Sequence, residues 1–309
     1  MPPHTLLVLE NPAARHLVLL DRLPDDTRIA VASSAAGVEN AAAEADVLMV
    51  GGVSRDVVEQ VWRMAPRLKW VHSMWAGLDT LVFPALMESG VALTNGSGVF
   101  SRSLAEFAIA GMLWFAKDIR RMRRQQRERR WAKFTVTELR GKRLGVVGLG
   151  SIGQATAGLA AAFGMEVRGI GRNHSRLELE DLLSTSDYLL IAAPLTAATR
   201  GMLGEAELRM MKPEAVLLNL GRGPVVVERA LIEALSQGWI RGAVLDVHHQ
   251  EPLPESHPLW SLDNVLLSPH CADVTSTWLN EAMELFVQNF HRYTRGEELL
   301  NLVDKRLGY

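Results

Sequence analysis

Three short stretches of the chain hold side chains suited to acid–base chemistry: Asn219-Leu220-Gly221-Arg222-Gly223, Asp246-Val247-His248-His249-Gln250-Glu251-Pro252 and Ser268-Pro269-His270. The planar fork of an arginine such as Arg222 can hold a substrate carboxylate and polarise a neighbouring carbonyl. A histidine such as His270 changes charge near neutral pH and can hand a proton to the carbonyl oxygen. A carboxylate such as Glu251 beside it favours the protonated ring and fixes its orientation. Arginine, histidine and carboxylate together match what reduction of a 2-keto acid demands, provided that a hydride donor is at hand. His248 and His249 stand near Glu251, but no third ligand follows at helical spacing, so no metal site is assigned.

The donor is implied by Gly148-Leu149-Gly150-Ser151-Ile152-Gly153. A β-type run, Leu144-Gly145-Val146-Val147, leads into this turn and an alanine-rich helix leaves it, which is the context of a dinucleotide-binding G-x-G-x-x-G. Gly148 permits the tight turn, Gly150 lets the backbone approach a pyrophosphate, and Gly153 lets helix and strand pack closely. The helix N-terminus presents N–H groups and a positive dipole end to the phosphates. With hydride supplied by a nicotinamide, no nucleophilic serine or cysteine is required. A dinucleotide with a free ribose 2′-hydroxyl calls for Asp or Glu at the end of the next strand. This chain has Gly171-Arg172-Asn173-His174-Ser175-Arg176 there. Arg172 and Arg176, helped by Asn173, suit a 2′-phosphate, so NADPH is favoured over NADH.

The elements that carry these residues alternate regularly. Thr5–Glu10, Arg28–Ala32, Asp46–Gly51 and Lys69–Ser73 read as buried strands, with a helix over Ser54–Arg67 between the last two. A single long helix is expected from about Ser101 to Arg130. A second series of strands follows at Leu144–Leu149, Glu166–Arg172, Tyr188–Ala193, Ala215–Leu220, Gly242–Val247 and Val265–Ser268. A last helix spans roughly Thr275–Tyr293. Strands alternating with helices predict an α/β fold with doubly wound parallel sheets. All three reactive stretches then lie just beyond strand C-terminal ends, where such sheets bind ligands.

Bulk properties narrow the function classes. A chain of 309 residues suits two domains at roughly 100–200 residues each. Its 33 basic and 35 acidic residues leave a net charge of −2, so no global field selects nucleic acid or an anionic membrane. The arginines of Arg120–Arg130 read as a solvated helix end, because no aromatics interleave with them. No secretory leader or membrane span is read, and the single cysteine, Cys271, fits a reducing cytoplasm. Cys271 itself is expected to be a small buried apolar residue.

Taken together, these motifs resemble the D-isomer-specific 2-hydroxyacid dehydrogenases, a family that includes glyoxylate/hydroxypyruvate reductases. The resemblance covers nearly the whole chain. It is carried by Leu139-Arg140-Gly141-Lys142-Arg143 running into the glycine turn, by Pro194-Leu195-Thr196, by the three reactive stretches, and by Trp75-Ala76-Gly77-Leu78-Asp79, which looks like the family's substrate loop. It implies two Rossmann-like or flavodoxin-like domains with the active site in the cleft between them. A discontinuous substrate domain would comprise residues 1–99 plus 283–309, and the dinucleotide domain residues 100–282. Arg222, Glu251 and His270 would be catalytic, and Trp75, Ala76 and Gly77 would bind substrate with Arg222 and His270. Dinucleotide contacts are assigned to Gly148, Gly150, Ser151, Ile152, Gly153, Arg172, Asn173, Arg176, Ala193, Pro194, Leu220, Gly221 and Asp246. The resemblance further implies a homodimer and reduction of a small keto acid such as glyoxylate or hydroxypyruvate to the D-2-hydroxy acid. NAD-dependent oxidation of a 2-hydroxy acid and a dinucleotide-sensing corepressor are the alternatives. Two departures stand out: Trp75 occupies a position where many members have a small residue, and Arg172 replaces a common aspartate.

Overall fold

A computed structural model describes residues 4–79 and 81–307. The chain divides into two compact units, one formed by residues up to Phe100 together with those from Ser276 onward, the other by Ser101–Thr275.

The first unit begins with β1 (Thr5–Leu9), β2 (Arg28–Ala32), α1 (Ala35–Ala42), β3 (Val47–Val50), α2 (Arg55–Met64), β4 (Trp70–Ser73), α3 (Pro84–Glu88) and β5 (Ala92–Thr94). Its five strands pair in the order β2-β1-β3-β4-β5, and every pairing is parallel. The apolar run Thr-Leu-Leu-Val-Leu of β1 is buried throughout because both faces of a parallel sheet are covered. Leu7 and Leu9 join one core with Val38 and Val61, while Leu6 and Val8 join another with Phe286 and Phe290.

The second unit runs through α4 (Ser101–Ala116), α5 (Ile119–Arg127), β6 (Arg143–Val147), α6 (Ser151–Ala162), β7 (Glu166–Ile170), α7 (Arg176–Thr185), β8 (Tyr188–Ile191), α8 (Glu205–Met210), β9 (Val216–Asn219), α9 (Glu228–Ser236), β10 (Gly242–Leu245) and β11 (Val265–Leu267). Its all-parallel sheet has the order β7-β6-β8-β9-β10-β11. The chain then returns to the first unit with α10 (Trp278–Thr294). In each sheet the order reverses beside the first strand, at β1/β3 and at β6/β8, and such switch points open a crevice at the strand C-termini.

The structure differs from the sequence expectations in three places. The single helix over Ser101–Arg130 is two helices. Asp118 takes a left-handed φ of 49° and its side chain accepts from the N–H of Arg121, so it caps a new helix where the old one ends. The return to the first unit falls before Ser276 rather than at residue 283. Ala282, Met283, Phe286 and Phe290 of α10 share one core with Trp70, so the apolar face of this helix belongs to one unit. Cys271, expected to be buried, is exposed: it lies in a loop fixed by its backbone N–H donating to Asp246, with the thiol 3.4 Å from Ser268 Oγ at the surface. Among the described residues no helix is long and apolar enough to cross a membrane.

Candidate active site

The glycine turn lies at the switch point of the second sheet. Gly148 has φ +101°, a conformation that disfavours side chains, and a Cβ there would lie 2.6 Å from the amide nitrogen of Ala193. A Cβ on Gly221 would stand 2.6 Å from the carbonyl oxygen of Ala193, so the ends of β6, β8 and β9 meet backbone to backbone. At Gly153 a Cβ would fall 2.1 Å from the Gly148 carbonyl oxygen, which explains why only glycine lets α6 start so close to β6. Gly150 is different: a Cβ there would meet nothing within 4 Å. No side chain caps α6, so its first turn faces that open space as an anion cradle. This geometry fits a dinucleotide pyrophosphate.

Beyond β7, Arg172 and Asn173 are exposed in a turn. Arg176 pairs with Glu180 and Glu207, both at 2.7 Å. Ser175 caps α7 in a reciprocal box with Glu178. Of the two arginines named from the sequence, only Arg172 is without an ion pair among the described residues.

The acid–base residues are brought together by interlocking loops. His270 Nδ1 lies 2.7 Å from Glu251 Oε2. Glu251 Oε1 accepts from the backbone N–H of His248 at 2.8 Å. Burial raises the cost of ionising Glu251, but the bonds from His270 and the His248 amide outweigh it and hold this carboxyl below its ordinary range. An ionised carboxylate only accepts, so Nδ1 carries the proton of that bond. His270 has φ +52°, and the turn is held because the buried Oδ1 of Asp246 accepts from the next two amides, Cys271 N at 3.0 Å and Ala272 N at 3.1 Å. Arg222 stands on the loop after β9. Asn219 braces that loop, accepting from Gly221 N and donating to the Arg222 carbonyl oxygen at 3.0 Å. Gly223 lies directly on the backbone of His248, where a Cβ would approach to 2.1 Å. His248 Nε2–H donates to the Ser268 carbonyl oxygen at 3.1 Å, joining the loops of Glu251 and His270.

Comparison with known proteins identifies the family. Residues 109–272 match the family model described as "D-isomer specific 2-hydroxyacid dehydrogenase, NAD binding domain". A glyoxylate reductase of Aeropyrum pernix is 37% identical over 289 residues, covering 86% of this chain and 85% of the relative. The chain belongs to the D-isomer specific 2-hydroxyacid dehydrogenase family. A solved family member from Xanthobacter autotrophicus, in complex with NADPH and MES, superposes with a TM-score of 0.85 at 31% identity, over 100% of both chains. A probable 2-hydroxyacid dehydrogenase from Rhizobium etli, in complex with NADP, HEPES and L(+)-tartaric acid, gives a TM-score of 0.87 at 26% identity and the same coverage. The enzyme is therefore an oxidoreductase that moves hydride between a nicotinamide dinucleotide and the C2 of a 2-keto or 2-hydroxy acid.

In the dehydrogenase's first unit, the loop Trp75-Ala76-Gly77 follows β4. Asn95 Nδ2 donates to the Ala76 carbonyl oxygen at 2.8 Å, and Gly96 N donates to that of Trp75 at 3.0 Å. The carbonyls are thus engaged, while the N–H groups of Ala76 and Gly77 have no acceptor among the described residues. Trp75 stacks 6.2 Å from Phe100 and 4.6 Å from Trp278 between ring centroids.

Several functional residues were not read from the sequence in these roles. Asn219 and His248 brace the loops, and Asp246, named as a dinucleotide contact, also clamps the His270 turn. Asp273 is half-buried. Burial pushes its carboxyl above the usual range, His270 and Arg222 draw it down, and Asp246 adds to the rise. The available signal was a polar residue at the end of an apolar strand, which places Asn219 and Asp246 but says nothing of Asp273. Among the described residues no group of three or more His, Cys, Asp or Glu is placed to hold a metal ion.

Proposed function

We propose that this enzyme reduces small 2-keto acids such as glyoxylate and hydroxypyruvate to D-2-hydroxy acids, with NADPH preferred to NADH. The reading rests above all on His270 Nδ1 held 2.7 Å from a Glu251 carboxylate that is itself anchored to the His248 backbone. When bound, the dinucleotide supplies the hydride. Ser151, Ile152, Pro194, Leu220 and Asp246, beside the glycines and Ala193, would complete its bed.

Arg222 holds the substrate carboxylate through its planar fork, and the Ala76 and Gly77 amides are assigned as further donors to it. As C2 accepts hydride, negative charge grows on the carbonyl oxygen. His270 Nε2 delivers a proton there, and Glu251 stabilises the imidazolium that donates it. The product is the D-2-hydroxy acid and His270 is left neutral. Arg172 at the end of β7 meets the 2′-phosphate through charge-assisted hydrogen bonds. The partner is a second copy of the chain, met through the arm that carries the 95%-exposed Trp131. The enzyme is assigned to the cytoplasm.

A spectrophotometric screen at 340 nm, with NADPH and NADH against a series of 2-keto acids, tests this reading. Turnover of glyoxylate or hydroxypyruvate with NADPH is expected. Arg222→Lys raises KM for the keto acid by roughly tenfold or more, because lysine lacks the bidentate fork. Tight NADPH binding with no turnover of any keto acid contradicts the reading.

A further inference from the structure

The first unit has a switch point of its own, between β1 and β3, and a cavity of about 640 Å3 opens there. That size lies within the roughly 300–1,000 Å3 typical of small-molecule sites and far exceeds the needs of a two- or three-carbon acid. Its apolar wall is made by Met74, Trp75, Trp278 and Leu279. The polar end is built from Glu10 and His16. Glu10 follows β1 and lies flat on the backbone: Oε2 accepts from Gly52 N at 3.0 Å and Oε1 from Asn11 N at 2.7 Å. A side chain at Gly51 would forbid this pose, since its Cβ would stand 2.2 Å from Glu10 Oε2. His16 is 4% exposed, and its Nε2 is buried without a hydrogen-bond partner, 3.8 Å from Glu10 Oε2. A buried ring nitrogen without a partner is costly unless something fills the site.

Trp75 belongs both to this wall and to the loop assigned above to the substrate carboxylate, so a keto acid held there has its C3 substituent beside the cavity. We infer that the enzyme is built for 2-keto acids with an aromatic side chain ending in a hydroxyl, the ring lying in the cavity against the wall that Trp75 and Trp278 form and the hydroxyl reaching Glu10 and His16. A hydroxyl at that point donates to Glu10 Oε2 and accepts from His16 Nε2–H, satisfying both groups at once. Burial lowers the His16 pKa, against the pull of Glu10, which keeps the ring neutral at pH 7 and able to serve in this way. The tryptophans supply the flat apolar surface that an aromatic ring prefers. Trp75 therefore acts as a wall of the side-chain pocket and not as a plug.

This inference rests on the 2-keto acid reductase reading, and one set of assays separates the two. Steady-state reduction of glyoxylate, phenylpyruvate and 4-hydroxyphenylpyruvate is measured with NADPH for the wild type and for Glu10→Gln. The wild type is expected to show kcat/KM about tenfold higher for 4-hydroxyphenylpyruvate than for glyoxylate, and higher than for phenylpyruvate. In Glu10→Gln, the ratio of 4-hydroxyphenylpyruvate to phenylpyruvate kcat/KM is expected to fall about tenfold, because a site built to bond a hydroxyl loses its discrimination when that bond is weakened. The ratio is taken within one protein preparation, so partial misfolding of the variant does not move it. Efficient glyoxylate reduction with no gain for either aromatic acid overturns the inference and leaves the reductase reading intact. An unchanged ratio in Glu10→Gln overturns the role of the polar end. Failure to reduce any of the three acids overturns both.

Discussion

Glu251 reaches His270 with one oxygen and the chain's own backbone with the other, so the imidazole is aimed by a carboxylate that cannot swing away. Glu251→Gln should keep the shape but lose the anion that stabilises the protonated ring, lowering kcat roughly 10- to 100-fold, as steady-state kinetics with a keto acid would show. In the proposed function Arg172 is the arginine that selects the coenzyme, because Arg176 already pairs with Glu180 and Glu207. Replacing Arg172 with Ser should reduce the ratio of NADPH to NADH kcat/KM by about tenfold or more, and an unchanged ratio would move the selection elsewhere. The arginine, histidine and glutamate are named from the sequence because each chemistry demands its residue type at a strand end, and the structure holds His270 and Glu251 2.7 Å apart. One reading at the same scale went astray. Composition suggested a buried Cys271, but its neighbours Asp246 and His270 set the loop's course and leave the thiol exposed. The ion pairs of Arg176 with Glu180, on the helix it opens, and with Glu207, on another helix, are set by packing and were not legible in the sequence.

The glycine turn shows which element-level constraints are structural and which serve the ligand. Gly153 is needed for packing, since a methyl group would sit 2.1 Å from the Gly148 oxygen. Gly153→Ala should therefore cost about 1–3 kcal/mol of stability in a denaturant titration, from overpacking. Gly150 has open space above it. Gly150→Ala should leave the unfolding midpoint almost unchanged while weakening dinucleotide binding, measured by fluorescence titration. A shared loss of stability and binding in both variants would contradict this division. Strand–turn–helix punctuation was legible in the sequence here because glycine spacing and β-branched runs are local signals. The break at Lys117–Asp118 was not, since it turns on one aspartate adopting a left-handed conformation inside an otherwise helical pattern.

At the scale of the whole molecule, two parallel sheets of the same winding place their switch points at Glu10–Gly52 and at Gly148–Ala193. Alternation of apolar runs with helical patterns was enough to predict both sheets, because a parallel sheet buries both faces of every central strand. It could not fix where the chain returns to the first unit, because only packing reveals that Ala282, Met283 and Phe286 share a core with Trp70. Beside that core, His72 is fully buried, with Nδ1 bonded to Thr94 Oγ1 at 2.8 Å, and burial lowers its pKa to about 3. The unfolded chain binds a proton at this site from about pH 6.5 downward while the folded unit does not. The stability contributed by neutral His72 is thus complete above pH 6.5 and is lost as pH falls toward 3, with a slope of at most about 1.4 kcal/mol per pH unit from this residue. Urea titrations between pH 7 and 4 should show a shallower acid loss in His72→Gln than in the wild type.

The account depends most on His270 as the proton donor in keto-acid reduction. The most direct test is His270→Ala assayed with NADPH and glyoxylate beside a fluorescence titration of NADPH. The predicted result is a fall in kcat of roughly 10²–10⁴-fold, as expected for losing a general acid, with the NADPH dissociation constant near that of the wild type. A variant that binds NADPH and retains full kcat would contradict the assignment of His270 and the mechanism built on it.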